Sequence, residues 1–290
     1  MTSPVFTLEP PDALDAGCPA RSPLVFASPH SGDVYPDDLG AGADLPILSL
    51  RSAEDVGVDR LVAPDPALGL PLLAARLGRA YVDLNRSPDD LDPQVVRGAA
   101  AASARVIAGF GVIPRLTGDG RTIREHAMMR EEAEARLETA HRPYHDALHG
   151  LMHRARDRFG FAILVDWHSM PSRAVRGAPG GRGPDVVLGD RHGSSCSAEV
   201  SRLLRALFEK ASWVTALNRP YAGGWSTQFW GRPGEGFHAV QIELNRALYL
   251  DERTLEPGPK FASTRNGLRR VTAALAECDW SGLRPAAAAE

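Results

Sequence analysis

Two histidines stand at the ends of apolar runs, Leu24-Val25-Phe26-Ala27-Ser28-Pro29-His30-Ser31-Gly32 and Phe161-Ala162-Ile163-Leu164-Val165-Asp166-Trp167-His168-Ser169-Met170. Imidazoles delivered to one edge of one sheet can share a zinc ion, and a hydrolytic zinc takes three His, Asp or Glu ligands while leaving a fourth position for water. His30 and His168 supply two ligands. Asp33, which makes a His-x-x-Asp pair with His30, and Asp55 are the local choices for the third, and spacing leaves both open. Read blandly, each is a solvated loop or helix-cap acid. A general base is also needed, and Glu243 sits inside the apolar run Val240-Gln241-Ile242-Glu243-Leu244. Strand alternation puts Gln241 and Glu243 on one face and the three aliphatic residues on the other. The plain alternative is a half-exposed strand with a polar side, but the neighbouring runs argue for burial on both faces.

Negative charge in a substrate needs donors. Asn85 and Arg86 end their own apolar segment, where an amide and a guanidinium can bind a carboxylate or a developing oxyanion. Arg115, in Gly111-Val112-Ile113-Pro114-Arg115, is a second anion-site candidate. His141, His145, His149 and His153 recur every four residues and stripe one helical face, a pattern that resembles a metal box but reads here as a solvated face.

These residues need a scaffold. Short apolar runs that stop at Pro, Gly or Ser predict the core strands of a mostly parallel sheet, whose chemistry gathers at the carboxyl ends of its strands. Strand character is also expected at Leu70 to Leu77, Ala80 to Leu84, Asp185 to Gly189 and Ala239 to Leu244. Ser52 to Leu61 predicts a helix with acidic residues in its first turn, Asp55 and Asp59 sharing a face. Glu125 to Phe159 predicts a long helix interrupted near Pro143, feeding directly into the His168 strand. Helices are expected over Ser197 to Lys210 and after the last strand. Pro171 to Gly183 reads as an arginine-bearing loop, and Asn218 to Gly236 as a Gly/aromatic loop too rich in special residues to be a mere connector. Residues 1–22 predict an irregular arm, 23–280 a single α/β domain, and 281–290 a flexible tail.

The 290 residues include 33 Lys plus Arg against 36 Asp plus Glu, a formal charge of −3, so no positive field recommends a nucleic-acid partner. The basic side chains are nearly all arginine, which suits an anionic small substrate. Cys18, Cys196 and Cys278 lack CxxC spacing and predict reduced thiols. The first residues lack a basic and then apolar leader pattern, and no apolar run reaches the roughly 20 residues that span a bilayer, so a soluble cytoplasmic chain is expected.

Taken in order, several segments resemble the N-formylglutamate amidohydrolase family: Pro29-His30-Ser31-Gly32 with Tyr35-Pro36, Asp55 before Val58-Asp59-Arg60-Leu61, Val82-Asp83-Leu84-Asn85-Arg86, and Gly111-Val112-Ile113-Pro114. Asp166-Trp167-His168-Ser169-Met170-Pro171-Ser172, Asn218-Arg219-Pro220-Tyr221-Ala222-Gly223-Gly224 and Gln241-Ile242-Glu243-Leu244-Asn245-Arg246-Ala247-Leu248-Tyr249 complete the set. The resemblance implies a three-layer α/β/α sandwich around a mixed, mostly parallel sheet, similar to zinc carboxypeptidases and aspartoacylases. It implies one zinc ion on His30, Asp55 and His168, with Asp33 the alternative third ligand, and Glu243 as general base. Asn85 and Arg86 match the segment that binds substrate, Arg86 or Arg115 would stabilise the oxyanion, and Arg173, Tyr221, Gly224 and Trp225 would wall the pocket. The implied reaction is cleavage of N-formyl-L-glutamate to formate and L-glutamate, a step of histidine degradation. A deacylase or amidase acting on another N-acyl amino acid or small amide, and a non-catalytic relative that binds an amino-acid anion, are the alternatives.

Overall fold

The structure is a computed structural model that describes residues 4–100, 103–175 and 183–283. Seven strands, β1 (Phe6–Glu9), β2 (Leu24–Ser28), β3 (Leu72–Ala75), β4 (Ala162–Met170), β5 (Val186–Gly189), β6 (Thr215–Leu217) and β7 (Phe237–Asn245), form one sheet in the order β1-β3-β2-β4-β7-β5-β6. β2, β4 and β7 run parallel; β5 is antiparallel to β7 and parallel to β6. This is the mixed, mostly parallel sheet of an α/β fold. All nine residues of β4 are buried, and eight of nine in β7, as expected of strands covered on both faces.

The backbone packs as two compact units, each a patchwork of segments. One comprises Leu8–Ser28, Gly57–Leu73 and Leu148–Glu290 and holds β2, β4, β5, β6 and β7. Its helices include Val58–Val62, Ala198–Lys210, Trp225–Trp230 and Phe261–Glu277. The first packs on the last and on β4, and Trp225–Trp230 packs on β7. The other comprises Met1–Thr7, Pro29–Val56 and Ala74–Ala147, built from short helices and turns, and contains His30, Asp55, Asn85 and Arg86. Among the described residues no helix is long and apolar enough to cross a membrane, and all three cysteines are free thiols.

Several local expectations change. The arm over 1–22 carries the edge strand β1 and a turn of 3-10 helix at Pro11–Leu14. Residues 284–290 of the expected tail, and 176–182 of the arginine-bearing loop, lie outside the described residues. The helix expected from Ser52 is instead a 3-10 turn, Arg51–Ala53, followed by Val58–Val62. Gly57, at φ 71°, separates them, so Asp55 stands on a connection rather than on a helix shared with Asp59. Ala80 to Leu84 is not a strand: the Asp83 N–H bonds the Val112 carbonyl, and its carboxylate accepts the Asn85 N–H to close a turn. The long helix starts at Arg130, because the Met128 N–H and C=O pair with Val95 and Arg97 and hold the preceding residues out of it. Its interruption is a π turn, Leu137–His141, ahead of Arg142–Phe159. Pro143 lies one residue into the second segment and has no N–H to offer the carbonyl four residues back. The Asn218 to Gly236 stretch folds around the helix Trp225–Trp230, and β6 just before it was not expected from the sequence.

The backbone after β2 comes unusually close to its neighbour. A Cβ at Gly32 would lie 2.2 Å from the Leu77 carbonyl oxygen, while the Val34 N–H bonds the Arg76 carbonyl. Gly32→Ala is therefore expected to lower stability by about 1–3 kcal/mol, read as a lower urea midpoint; an unchanged midpoint would show that the approach is not required.

Candidate metal centre

β2 and β4 are adjacent and parallel, with Ala27 opposite Asp166, and the chain reaches His30 two residues after β2 ends. Pro29 and Gly32 flank the histidine, one stopping the strand and the other admitting the close backbone approach. His30 is buried and engaged at both ring nitrogens. Nε2 donates to Asp83 Oδ1 at 2.7 Å, and Nδ1 lies 3.4 Å from Asp55 Oδ2. The Asp55 N–H bonds the His30 carbonyl, so main chain as well as side chain joins these two residues.

Asp83 is the charged group behind the histidine. Burial would raise its pKa, but Arg79, then His30 and Arg86, outweigh that and hold the carboxyl well below the usual range. Arg79 grips it with Nε at 2.9 Å and Nη2 at 2.8 Å, and its Nη1 donates to the Ala53 carbonyl two residues before Asp55. Asp55 is steadied from its other side, where Glu54 is buried between Arg51 and the Tyr35 hydroxyl.

His168 is arranged in the same way within β4. Its Nε2 donates to Asp166 Oδ2 at 3.0 Å, the acid standing two residues earlier on the same face of the strand. In the β4–β7 register Asp166 pairs with Gln241 and His168 with Glu243, so four polar side chains share one face, with Trp167 and Ile242 on the other. Glu243 is buried, and the half-exposed polar strand is thereby excluded. The Gln241 amide is oriented by the Gly224 N–H on its Oε1 at 2.7 Å, and its Nε2 donates to Glu243 Oε1 at 2.7 Å.

In one unit His30 and Asp55 are buried side by side, and in the other His168 is buried beside Asp166; each is a candidate metal-ligating group. The donor chemistry fits. Each Nε2 is committed to an aspartate, so Nδ1 is the ring nitrogen that could meet a cation, and at His30 it faces the Asp55 carboxylate.

The other candidates lie as follows. Asp33 is exposed. Asn85 is buried beside Asp83; Arg86 donates to the Phe110 and Asn85 carbonyls and stands 3.9 Å from Asp83. Arg115 is committed to Asp92 at 2.9 Å and to the Ile107 carbonyl. Gly224 anchors Gln241, Trp225 opens the helix Trp225–Trp230 against Phe229, and Tyr221 and Arg173 are exposed. The expected solvated histidine stripe holds only in part: His149 is exposed, but His141 is buried, and His141 and His145 donate to the carbonyls of Arg86 and Leu84. His149 and His153 stack at 4.0 Å and lie against Trp230. Asp83, Arg79 and Asp166 had no role from spacing alone; their signal is a charged residue inside an otherwise apolar segment.

Comparison with known proteins is consistent across sequence and structure. Residues 22–250 match the family model described as N-formylglutamate amidohydrolase. The N-formylglutamate deformylase of Pseudomonas putida is 32% identical over 237 residues, 80% of this chain and 83% of that protein. The deformylase of Pseudomonas aeruginosa is likewise 32% identical, over 80% of this chain and 84% of its own. The crystal structure of N-formylglutamate amidohydrolase from Ralstonia eutropha superposes with a TM-score of 0.84 at 35% identity, covering 94% of this chain and 97% of that one.

The buried histidines make stability depend on acidity. Burial, with a contribution from His141, pushes the His145 imidazole down from 6.5 to about 3, and burial lowers His141 as well. Below pH 6.5 the unfolded chain takes up protons that the folded rings refuse, so stability is full above 6.5 and falls as the pH drops toward 3. Urea unfolding between pH 7 and 4 is expected to show this fall, shallower in His145→Gln; equal slopes in the two proteins would contradict it.

Proposed function

The chain belongs to the N-formylglutamate amidohydrolase family, and from that membership we propose that it is a zinc-dependent hydrolase that cleaves the amide of N-formyl-L-glutamate to give formate and L-glutamate. The observation that carries the reading is the β4–β7 register, which sets the buried Glu243 beside His168 on one face of the sheet. A base next to a ligand is the arrangement that water-dependent amide hydrolysis requires.

His30, Asp55 and His168 would hold the ion, Asp55 being preferred to the exposed Asp33. Two neutral imidazoles and one carboxylate leave a coordination position open, the pattern of catalytic rather than structural zinc. A divalent ion held there supplies Lewis acidity and lowers the pKa of water it binds. Glu243 accepts a proton from the attacking water and delivers it to the departing amine nitrogen. Gln241, fixed by Gly224, holds Glu243 Oε1 in place for that transfer. Asp83 and Asp166 hold the imidazoles in the tautomer with Nδ1 unprotonated. Asn85 and Arg86 bind the substrate anion, and Arg86 rather than Arg115 assists the oxyanion, since Arg115 is occupied by Asp92. Arg173, Tyr221 and Trp225 wall the substrate pocket in this reading. Its setting is histidine degradation, as the family resemblance implies.

Two variants separate base from ligand support. Glu243→Gln is expected to keep zinc bound and to lower glutamate release about 10²- to 10⁴-fold; near-normal release would remove Glu243 from the reaction. Asp83→Asn is expected to weaken zinc binding about 10- to 100-fold in competition with a chelating dye, and undiminished affinity would show that Asp83 does not support the ligand.

A further inference from the structure

At the π turn and the start of the following helix, His141 and His145 face the turn that carries Asn85 and Arg86. His141 Nε2 donates to the Arg86 carbonyl at 3.0 Å, and His145 Nε2 to the Leu84 carbonyl at 2.9 Å. The rings sit one above the other with centroids 4.3 Å apart. Two consecutive turns of one helix face thus grip two carbonyls, two residues apart, on either side of Asn85. The helix rises about 6 Å over four residues, so tilting the rings toward each other brings both donors within reach of a tight turn. The π turn Leu137–His141 ends at the first of the two histidines, and single π turns inside helices recur at functional sites.

We propose that His141 and His145 are positioning residues for substrate recognition, a two-ring clamp that holds the carbonyls of Arg86 and Leu84 so that the Asn85 amide and the Arg86 guanidinium meet the substrate anion in fixed orientation. This rests on the reading in which Asn85 and Arg86 bind that anion. The turn is otherwise tied by Asp83, which bonds His30, the Val112 carbonyl and the Asn85 N–H, and at the Arg86 side chain by the Phe110 and Asn85 carbonyls. The clamp adds restraint at the carbonyls of Leu84 and Arg86. It requires the ring nitrogen to be a donor, and because burial keeps both imidazoles neutral, each is one donor and one acceptor with the donor fixed at Nε2. The same two rings, spaced four apart in the sequence, account for half of the histidine stripe that the catalytic residues leave unexplained.

Glutamine and methionine at these positions have similar length and helix preference, but only glutamine can donate to the carbonyl. In the zinc-loaded enzyme, His145→Met is expected to raise KM for N-formyl-L-glutamate about 10- to 100-fold, with a smaller fall in kcat through the oxyanion role of Arg86 and zinc content unchanged, and His145→Gln to restore KM to within about threefold of the parent. His141→Met and His141→Gln repeat the comparison should the first methionine variant fail to fold. Arg86→Ala is measured in the same assay, alone and combined with His145→Met. If the clamp acts through Arg86, the two losses in KM overlap rather than multiply. Losses that multiply, or a methionine variant with the parent KM while Arg86→Ala is impaired, would overturn the clamp and leave the proposed reaction standing. An Arg86→Ala enzyme with unchanged KM would overturn the role of Arg86 itself, and the clamp with it.

Discussion

A single buried carboxylate organises the polar cluster around His30 and Asp55. Asp83 has almost no access to water, and an unpaired charge there would be expensive. Arg79 makes it an anion, and that anion fixes which nitrogen of His30 carries the proton. From the same guanidinium a third donor reaches the carbonyl of Ala53, two residues before Asp55. One ion pair therefore orients the ring of one candidate ligand and steadies the main chain leading to another. Removing Arg79 would leave Asp83 buried without its main cationic partner, which costs several times what an exposed pair contributes.

The second unit reaches the same result by strand geometry. Alternation puts Asp166 and His168 on one face of β4, and the parallel register brings Gln241 and Glu243 alongside them. Nothing local to either strand creates this polar quartet; it exists because the two strands pair at that register and at no other. A slip by one residue would exchange Glu243 for an aliphatic neighbour. The extensive apolar face on the opposite side, with Trp167, Val240, Ile242 and Leu244 all fully buried, is what makes such a slip costly.

Much of this was legible in the residues. The strands bearing His30, His168 and Glu243 were recognisable because each is an apolar run interrupted by one or two groups with no reason to be in a core. The Asp83 segment misled for the same reason: its apolar residues are buried by turns rather than by a sheet, and burial alone does not distinguish the two. Asp55 was placed on a helix that Gly57 prevents, since a left-handed residue cannot be told from an ordinary helical glycine by pattern. The histidines at 141 and 145 looked solvated because period four is also the period of an exposed helix face; only the Leu84 and Arg86 carbonyls opposite them give the spacing its meaning. Hydrogen bonds to main-chain atoms leave no trace in side-chain patterning.

The claim at the centre is that a metal held by His30, Asp55 and His168 and a base at Glu243 hydrolyse a formyl amide. The most direct measurement is formate release from N-formyl-L-glutamate by the purified chain, before chelation, after it, and after stoichiometric zinc is restored, with N-acetyl-L-glutamate in parallel. Release that chelation abolishes and one zinc per chain restores, with little turnover of the acetyl compound, is the predicted result. Undiminished release from the metal-free chain, or zinc-restored turnover of the acetyl compound alone, would contradict it.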